Sequence, residues 1–155
     1  MTTKPIRPLE RRDLGRVAHL VDSNHMFPSE MLGDMTAAYF GDGDETQRWI
    51  VFDRHRVDGV VYYVPEQMTE GTWNLLLIAV DPDAHGQGIG SRLMQFVEND
   101  LAGQNVRILL VETSGVPDFA RTRGFYEMLG YDREARIRDY YAAGDDKIVF
   151  RKALN

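Results

Sequence analysis

Three glycines alternate with other residues in the segment 81–91, at positions 86, 88 and 90. The segment follows six consecutive apolar residues, 75–80, and precedes a clearly amphipathic stretch, so it joins a predicted buried strand to a predicted helix. Glycine lets a ligand approach the main chain, and the first amides of a helix have no partner inside the helix. Such a loop is suited to hold a phosphate group. The same spacing also fits an ordinary turn followed by a helix start.

Two common phosphate-binding motifs do not match this segment. The dinucleotide motif G-x-G-x-x-G needs a glycine at the sixth position, which is Ser91 when counted from Gly86 and Leu93 when counted from Gly88. A P-loop needs Lys followed by Ser or Thr after the glycines, and this pair is missing. A nucleotide-binding oxidoreductase is therefore an alternative that stabilisation of the protein by NAD would revive.

A single acidic residue, Glu112, lies near the end of the otherwise apolar segment 109–113. Burying an unpaired carboxylate is costly. We therefore expect Glu112 either to face a cleft, where it can do acid–base chemistry, or to pair with a cation such as Arg107, Arg121 or Arg123.

The composition is that of an ordinary globular protein. The 155 residues, of which 43% are hydrophobic, predict one domain over residues 1–155. The 18 basic and 24 acidic residues give a formal charge of −6, which argues against a nucleic-acid partner. The sequence contains no apolar run near the ~18 residues of a membrane span and no signal-peptide pattern at its start. We expect a soluble, cytoplasmic protein with no membrane partner.

Hydrophobic periodicity predicts the elements that position these residues. A short extended segment around Ile6 precedes two helices, one at 14–21 capped by Asp13 and one at 29–39. Strands follow at 49–52, 57–64 and 73–80, and the glycine-rich loop leads into a helix at 89–101. A strand at 106–113, a helix at 119–129 and two strands at 131–138 and 147–152, separated by residues 142–146, complete an α/β layer with a mixed sheet.

Two segments together carry a family resemblance. The first reads VDP at 80–82 and HGQGIG at 85–90, and the second reads FYEMLGY at 125–131. They resemble the acyl-CoA loop and the second signature of the GNAT superfamily of N-acetyltransferases. The resemblance implies a GNAT-type α/β fold, with a mixed, mostly antiparallel central sheet of about seven strands flanked by about four helices. One departure is His85, where the family has Arg or Gln; its backbone amide and ring N–H are expected to preserve cofactor binding.

The resemblance implies acetyl-CoA (coenzyme A) as the co-substrate. Its pantetheine arm would pair with the main chain of residues 78–80 like an added strand, and the amides of residues 85–91 would hold its pyrophosphate. The residues thereby assigned to cofactor binding are Ile78, Ala79, Val80, His85, Gly86, Gln87, Gly88, Ile89, Gly90, Ser91 and Tyr126.

The absence of cysteine excludes disulfides, sulfur-ligated zinc and a cysteinyl acyl-enzyme, and no metal site is predicted. Direct attack of an amine on the thioester, in a ternary complex, is then the natural mechanism. Tyr126 matches the family's tyrosine and is the predicted acid for the departing thiolate, although it could also be a core aromatic residue. Glu112 is the candidate base, because ribosomal-protein N-terminal acetyltransferases have a similar Glu on this strand; an ion pair at Glu112 and a chain of waters as the base are the alternatives.

The acceptor side is expected in the variable parts of the family, namely the first two helices and the last hairpin. Phe27, in the segment 24–27, is one candidate, and Asp139, Tyr140 and Tyr141 are others, because residues 137–141 resemble a stretch bordering the peptide channel of N-terminal acetyltransferases. Exposed tyrosines and acids would suit a cationic amine.

The predicted function is transfer of an acetyl group from acetyl-CoA to a primary amine, either a polypeptide N-terminus or a small molecule. A non-catalytic acyl-CoA-binding sensor is the alternative from another class. A homodimer is compatible with the open sheet of this family, although the sequence does not indicate an interface.

Overall fold

The computed structural model describes residues 4–41, 43 and 45–154. Seven strands and four α-helices occur in this part of the chain, and their predicted order is confirmed. The elements are β1 (Ile6–Pro8), α1 (Leu14–Ser23), α2 (Leu32–Gly41), β2 (Arg48–Asp53), β3 (Val57–Pro65), β4 (Thr72–Val80), α3 (Ile89–Ala102), β5 (Ile108–Ser114), α4 (Ala120–Met128), β6 (Asp132–Ala142) and β7 (Asp145–Ala153).

The strands are hydrogen-bonded in the order β1-β2-β3-β4-β5-β7-β6. The β4–β5 pair is parallel, whereas β1–β2, β2–β3, β5–β7 and β6–β7 are antiparallel. The prediction of a mixed, mostly antiparallel sheet of seven strands with four helices is therefore confirmed. The parallel ladder joins residues 72–75 of β4 to residues 108–111 of β5, and β4 itself continues to Val80.

Contacts divide the chain into two compact units. The first unit contains Met1–Val64 and Leu77–Val97, and the second contains Pro65–Leu76 and Glu98–Asn155. Strand β4 and helix α3 contribute residues to both units. The prediction of one domain over residues 1–155 stays a prediction.

The core of the first unit lies between α1, α2 and the strands β2 and β3, with the end of β4. In α1, Val17, Leu20 and Val21 fall at helical spacing and are fully buried. Trp49 of β2 stacks on Tyr62 of β3, with ring centroids 4.1 Å apart. Burial of each such side chain contributes about 1.5–3 kcal/mol to stability, so this core fixes the strands that lead into the glycine-rich loop.

Asp13 precedes α1 but its side chain makes no capping hydrogen bond to that helix, so the predicted cap is wrong. The two carboxylate oxygens instead accept hydrogen bonds from the Arg7 guanidinium, at 2.8 and 2.9 Å, and one of them also accepts from the Glu10 amide. A bidentate arginine is a stronger partner for a carboxylate than a single helix amide.

The last hairpin, in the second unit, has a tighter turn than the sequence predicts. Strand β6 extends to Ala142 and β7 begins at Asp145, so the turn lies within the predicted segment 142–146 but contains only residues 143–144. Gly144, the second central residue of the turn, has a positive φ of +78°, which glycine adopts readily. The register is irregular between Ile137 and Ala142, and Asp139 within this stretch also has a positive φ of +56°.

No helix in the described part of the chain is both long enough and apolar enough to cross a membrane.

Candidate active site

In the first unit, a buried carboxylate fixes the start of the glycine-rich loop. Asp81 follows β4, and its Oδ2 accepts a hydrogen bond from Arg16 at 2.9 Å. Its Oδ1 accepts from the Asp83 amide at 2.9 Å and thereby caps a short 3-10 helix, Pro82–Ala84. The hydrogen bonds from Arg16 and from the Asp83 amide lower the pKa of Asp81 below its usual value, although burial opposes them. The carboxylate is therefore charged near neutral pH and holds the loop to α1.

Two glycines give the loop an open main chain. Gly86 has φ +83° and Gly88 has φ +78°, a left-handed region that other residues rarely adopt. A Cβ atom added at either position would meet no atom within 4 Å, so the main chain is open on that side. A ligand can therefore approach the amides of this loop closely.

The amides at the start of α3 fit a phosphate group. The His85 amide donates to the Pro82 carbonyl at 3.3 Å and the Arg92 amide donates to the Gly88 carbonyl at 3.1 Å. Between them, the amides of residues 86–91 donate no main-chain hydrogen bond to described residues outside the helix. The positive end of the α3 dipole lies at the same place. These donors fit the pyrophosphate of acetyl-CoA, whereas the His85 amide already has a partner within the loop; the phosphate-binding roles stay predictions.

The end of β4 is held by two side chains. The Val80 carbonyl accepts a hydrogen bond from Asn24 Nδ2 at 3.0 Å and lies 3.1 Å from His85 Nε2. Asn24 also donates to the Leu20 carbonyl, which ties this end of the strand to α1. The prediction that residues 78–80 pair with the pantetheine arm therefore depends on main-chain groups other than the Val80 carbonyl.

Two arginines bring positive charge to the loop, and sequence analysis missed both. Arg54 donates to Gln87 Oε1 at 2.9 Å. The guanidinium carbons of Arg54 and Arg92 lie 5.1 and 5.0 Å from the centroid of the Phe52 ring. Arg54 is 33 positions from Gln87, so only the β2–β3 hairpin brings it to the loop.

Close packing of β3 against α3 fixes the start of the helix. Gly59 of β3 has no side chain, and a Cβ there would lie 2.8 Å from Leu93 Cδ1 and 3.0 Å from Ile89 Cγ2. Ile89 and Leu93 are buried on the apolar face of α3. The position of the helix N-terminus therefore depends on a glycine in the neighbouring strand.

In the second unit, Tyr126 of α4 is buried, with 2% of its surface exposed. Its ring lies against Phe125, Tyr131 and Phe150, with centroids 5.4, 6.0 and 5.5 Å away. Burial raises the pKa of Tyr126 well above its ordinary value. The phenol therefore keeps its proton at any ordinary pH, and the ring contacts make it part of the core.

Two side chains, one amide and one ammonium group, contact the same oxygen of Glu112 in β5. Its Oε1 accepts a hydrogen bond from Asn74 Nδ2 at 2.7 Å and lies 2.8 Å from Lys147 Nζ. The ion pair is one of the two predicted environments, but its cation is Lys147. Lys147 is the diagonal neighbour of Glu112, because Glu112 pairs with Val149 across β5 and β7. In the described part of the chain, Glu112 Oε2 has no partner.

The three arginines predicted as partners of Glu112 lie elsewhere, so that prediction is wrong. Arg107 donates to the Glu70 carbonyl, and Arg123 donates to the carbonyls of Ser114 and Val116. Arg121 is exposed on α4.

Asn74 of β4 contacts the candidate base Glu112, and sequence analysis missed it. Its side chain is buried, and its Nδ2 donates to Glu66 Oε1 at 2.8 Å as well as to Glu112. Asn74 pairs with Leu110 in the parallel β4–β5 ladder, so it shares a face of the sheet with Glu112 two residues later. The available signal was an amide in the otherwise apolar segment 73–80.

The predicted acceptor residues are divided between the two units. Tyr140 and Tyr141 are 53% and 46% exposed, and the Tyr140 ring lies 4.3 Å from Lys147 Nζ. Burial and the charge of Glu112 raise the pKa of Tyr141 to about 12. Asp139 Oδ1 accepts from the Gly144 amide within the hairpin. Phe27 packs, partly buried, against the core of the first unit.

Comparison with known proteins gives a consistent result. A family model for the acetyltransferase (GNAT) domain matches residues 44–133. An uncharacterized N-acetyltransferase from Methanocaldococcus jannaschii is 33% identical over 62% of the chain and 62% of its own length. The ribosomal protein bS18 alanine N-acetyltransferase of Escherichia coli is 27% identical over 92% of the chain and 90% of its own length.

A solved structure of a GNAT-family protein from Desulfovibrio desulfuricans has a similar fold. It is 29% identical, with a TM-score of 0.88 over 97% of this chain and 98% of that chain. The chain spans about three fifths of the length of the M. jannaschii relative. The D. desulfuricans protein shares the fold over nearly the whole chain.

Proposed function

The chain belongs to the GNAT acetyltransferase family, whose members use acetyl-CoA, and we propose that it transfers the acetyl group directly to a primary amine. The observation that carries this proposal is the open glycine-rich loop, where the amides of residues 86–91, at the start of α3, donate no main-chain hydrogen bond to described residues outside the helix. The loop and the nearby guanidinium groups of Arg54 and Arg92 would hold the phosphates of acetyl-CoA.

We infer direct transfer because the chain has no cysteine to carry the acetyl group. Acetyl-CoA supplies the acetyl group as an activated thioester. The new bond between carbon and the amine nitrogen would form as the bond between carbon and sulfur breaks. One proton leaves the amine and one proton is needed at sulfur, so the protein has an acceptor role and a donor role to fill.

Glu112 is the proposed proton acceptor. Its Oε1 is engaged by Asn74 and Lys147, and its side chain is 20% exposed. Its Oε2 has no partner among the described residues and would receive the proton of the attacking amine.

Tyr126 is the proposed proton donor to the departing sulfur. Burial keeps its phenol protonated, because it raises the pKa of this group above the ordinary value. The hydroxyl of Tyr126 forms no hydrogen bond with the described residues, so its proton is not committed to another group.

The proposed acceptor is a primary amine, either a polypeptide N-terminus or a small molecule. The alanine N-acetyltransferase of E. coli matches 92% of the chain, which supports peptides with a free N-terminus as the first probes. The exposed Tyr140 and Tyr141, beside the carboxylate of Glu112, would suit a cationic group on either kind of acceptor.

The test is thiol release from acetyl-CoA with a panel of amines, comprising peptides with different N-termini, polyamines, aminoglycosides and free amino acids. We expect turnover with one class of acceptor, and we expect Tyr126→Phe to lower kcat by about 10²–10⁴-fold, the usual contribution of a general acid. Tyr39→Phe, which removes a phenol hydroxyl that donates to the Leu9 carbonyl in the first unit, is the matched control for loss of a phenol. Tight binding of acetyl-CoA without transfer to any amine would favour the non-catalytic sensor and contradict this proposal.

A further inference from the structure

One amide nitrogen in the second unit is bonded to two carboxylates. Asn74 Nδ2 donates to Glu66 Oε1 at 2.8 Å and to Glu112 Oε1 at 2.7 Å. An amide nitrogen has two hydrogens, so both are used. The two carboxylate oxygens lie at most about 5.5 Å apart, because they share this one donor. Lys147 is on the other side of Glu112 and contributes one positive charge to the group.

The two carboxylates determine which way the Asn74 amide faces. A carboxylate accepts hydrogen bonds and cannot donate them, so the nitrogen of Asn74, and not its oxygen, must point towards Glu66 and Glu112. Glu66 is itself held in place, because its main-chain amide donates to the Thr72 carbonyl and closes the β3–β4 hairpin. A flipped amide would bring its oxygen against two negative charges. Glu66 therefore fixes the direction from which Asn74 Nδ2 donates its hydrogen bond to Glu112.

Within the described part of the chain, this arrangement leaves one buried polar atom without a hydrogen-bond partner. Asn74 is 2% exposed, and its Oδ1 has no hydrogen-bond partner among the described residues. An unpaired buried acceptor lowers stability, and an apolar side chain of the same size would avoid that loss. Buried unpaired polar atoms in native proteins require an explanation, and a functional role is a common one. The packing of β4 alone does not account for an asparagine at this position.

The hydrogen bonds also select one oxygen of Glu112. Asn74 and Lys147 both approach Oε1, so rotation of the carboxylate would break both contacts at once. Lys147 is further restrained by the Tyr140 ring, 4.3 Å from its Nζ. Oε2 is thus the oxygen that stays available to a ligand.

We propose that Asn74 is a positioning residue of the transfer reaction: oriented by Glu66, it holds Oε1 of Glu112 so that Oε2 faces the acceptor amine and receives its proton. The proposal rests on the proposed function, because it assigns Glu112 the role of base. Asn74 does not itself touch the reacting atoms in this account; it acts only through Glu112.

A merely structural role for Asn74 makes a different prediction. If Asn74 only stabilises the sheet, its replacement lowers activity through loss of folded protein, and the loss is the same whether or not Glu112 can act as a base. If Asn74 acts through Glu112, its replacement has no further effect once the carboxylate is gone. Non-additivity of this kind is what a double-mutant cycle measures.

The experiment measures kcat and KM for acetyl transfer in the full chain with Asn74→Leu, Glu112→Gln and the double variant. The acceptors are an alanine-initiated peptide, spermidine and kanamycin. Thr72→Val is the matched control, since it removes a polar group of similar size from the same face of β4. We expect Asn74→Leu to lower kcat about 10- to 100-fold with little change in KM for acetyl-CoA, the effect of losing a hydrogen bond to a charged group. The control should keep wild-type kinetics, and Asn74→Leu should have no effect in the Glu112→Gln background.

A second pair of variants covers the case in which Asn74→Leu does not fold. Glu66→Leu removes the group that orients the amide while leaving Asn74 in place, and Glu70→Leu removes an exposed carboxylate from the same turn. We expect Glu66→Leu to lower kcat, again only when Glu112 is present, and Glu70→Leu to leave it unchanged. Equal losses in both Glu112 backgrounds, or wild-type kcat in Asn74→Leu or Glu66→Leu, would overturn the inference while leaving the acetyltransferase intact. A wild-type protein that transfers acetyl to none of the amines in the full panel would instead remove the proposed function, and this inference with it.

Discussion

Replacement of Gly88 by alanine tests the account of the glycine-rich loop. Gly88 has φ +78°, and a Cβ at this position would meet no atom within 4 Å. Any loss of stability in Gly88→Ala must therefore come from the backbone conformation and not from a clash. Gly124 in α4 is the matched control, because it also has open space around it but has no positive φ.

The expected changes have opposite signs. A left-handed conformation costs an L-residue roughly 1–2 kcal/mol, partly offset by the roughly 0.4–1 kcal/mol that alanine gains by restricting the unfolded chain. Gly88→Ala should thus lose up to about 1.6 kcal/mol of unfolding free energy. Gly124→Ala, inside a helix, should gain about 0.5–1 kcal/mol. For a chain of this size each kcal/mol corresponds to a change in Tm of about 2–4 °C.

The assay combines thermal unfolding with calorimetric titration of coenzyme A. We expect Gly88→Ala to weaken coenzyme A binding by about tenfold, or 1.4 kcal/mol, because the strained loop no longer presents its amides together. Gly124→Ala should bind coenzyme A like the wild type. If Gly88→Ala raised Tm as Gly124→Ala does, the conformational argument would be refuted. If it lowered Tm but bound coenzyme A normally, the loop would not be the phosphate site.

Three further substitutions test other parts of the account. Tyr126→Phe should change Tm by less than about 1 °C, since only a hydroxyl with no described hydrogen bond is lost; a large drop in Tm would mean that its loss of activity is structural. Asp81→Asn should lower the unfolding free energy at pH 7 by about 1.5–3 kcal/mol through loss of the charged bond to Arg16. Folding lowers the pKa of Asp81, so the stability that its charged bond provides is present above about pH 4 and disappears as the pH falls below that value. A difference in unfolding free energy between the wild type and Asp81→Asn that persists at low pH would contradict this. Gly59→Ala should destabilise the protein by about 1–3 kcal/mol, because its Cβ would lie 2.8 Å from Leu93 Cδ1. The same substitution should weaken coenzyme A binding. A variant as stable as the wild type in chemical denaturation would refute the packing argument.

Much of the fold could be predicted because local patterns and the family resemblance agree. The apolar spacing of α3 and the apolar run ending at Val80 predict a strand, a loop and a helix, and these occur in that order. Gly86 and Gly88 lie in the predicted loop, and both have a positive φ. Each of these features depends on residues close together in the chain.

The errors arise where a partner that no local sequence pattern indicates replaces the expected one. Asp13 was expected to cap α1, but Arg7 offers two hydrogen bonds across the start of the chain. Glu112 was expected to meet an arginine near it in sequence, but strand pairing brings Lys147 to it from β7. A sequence pattern indicates the expected local contact, but it does not indicate a partner that only the folded chain brings close.

The same reason explains why part of the candidate site was missed. The role of Asn74 depends on β4 and β5 being parallel neighbours with a particular register, which places it beside Glu112. Arg54 reaches Gln87 only through the β2–β3 hairpin. Neither residue stands in a recognisable motif, so only the folded chain relates them to the predicted site.

The central claim, direct transfer of the acetyl group from acetyl-CoA to an amine, is tested most directly by mass spectrometry of a single turnover. Excess protein is mixed with acetyl-CoA, first without and then with the acceptor found in the amine panel. The account predicts that the mass of the protein is unchanged in both mixtures, and that acetylated amine and free coenzyme A appear in equal amounts only when the acceptor is present. Acetyl-CoA that stays intact beside the acceptor, or an acetylated protein that then passes its acetyl group to the amine, would contradict it.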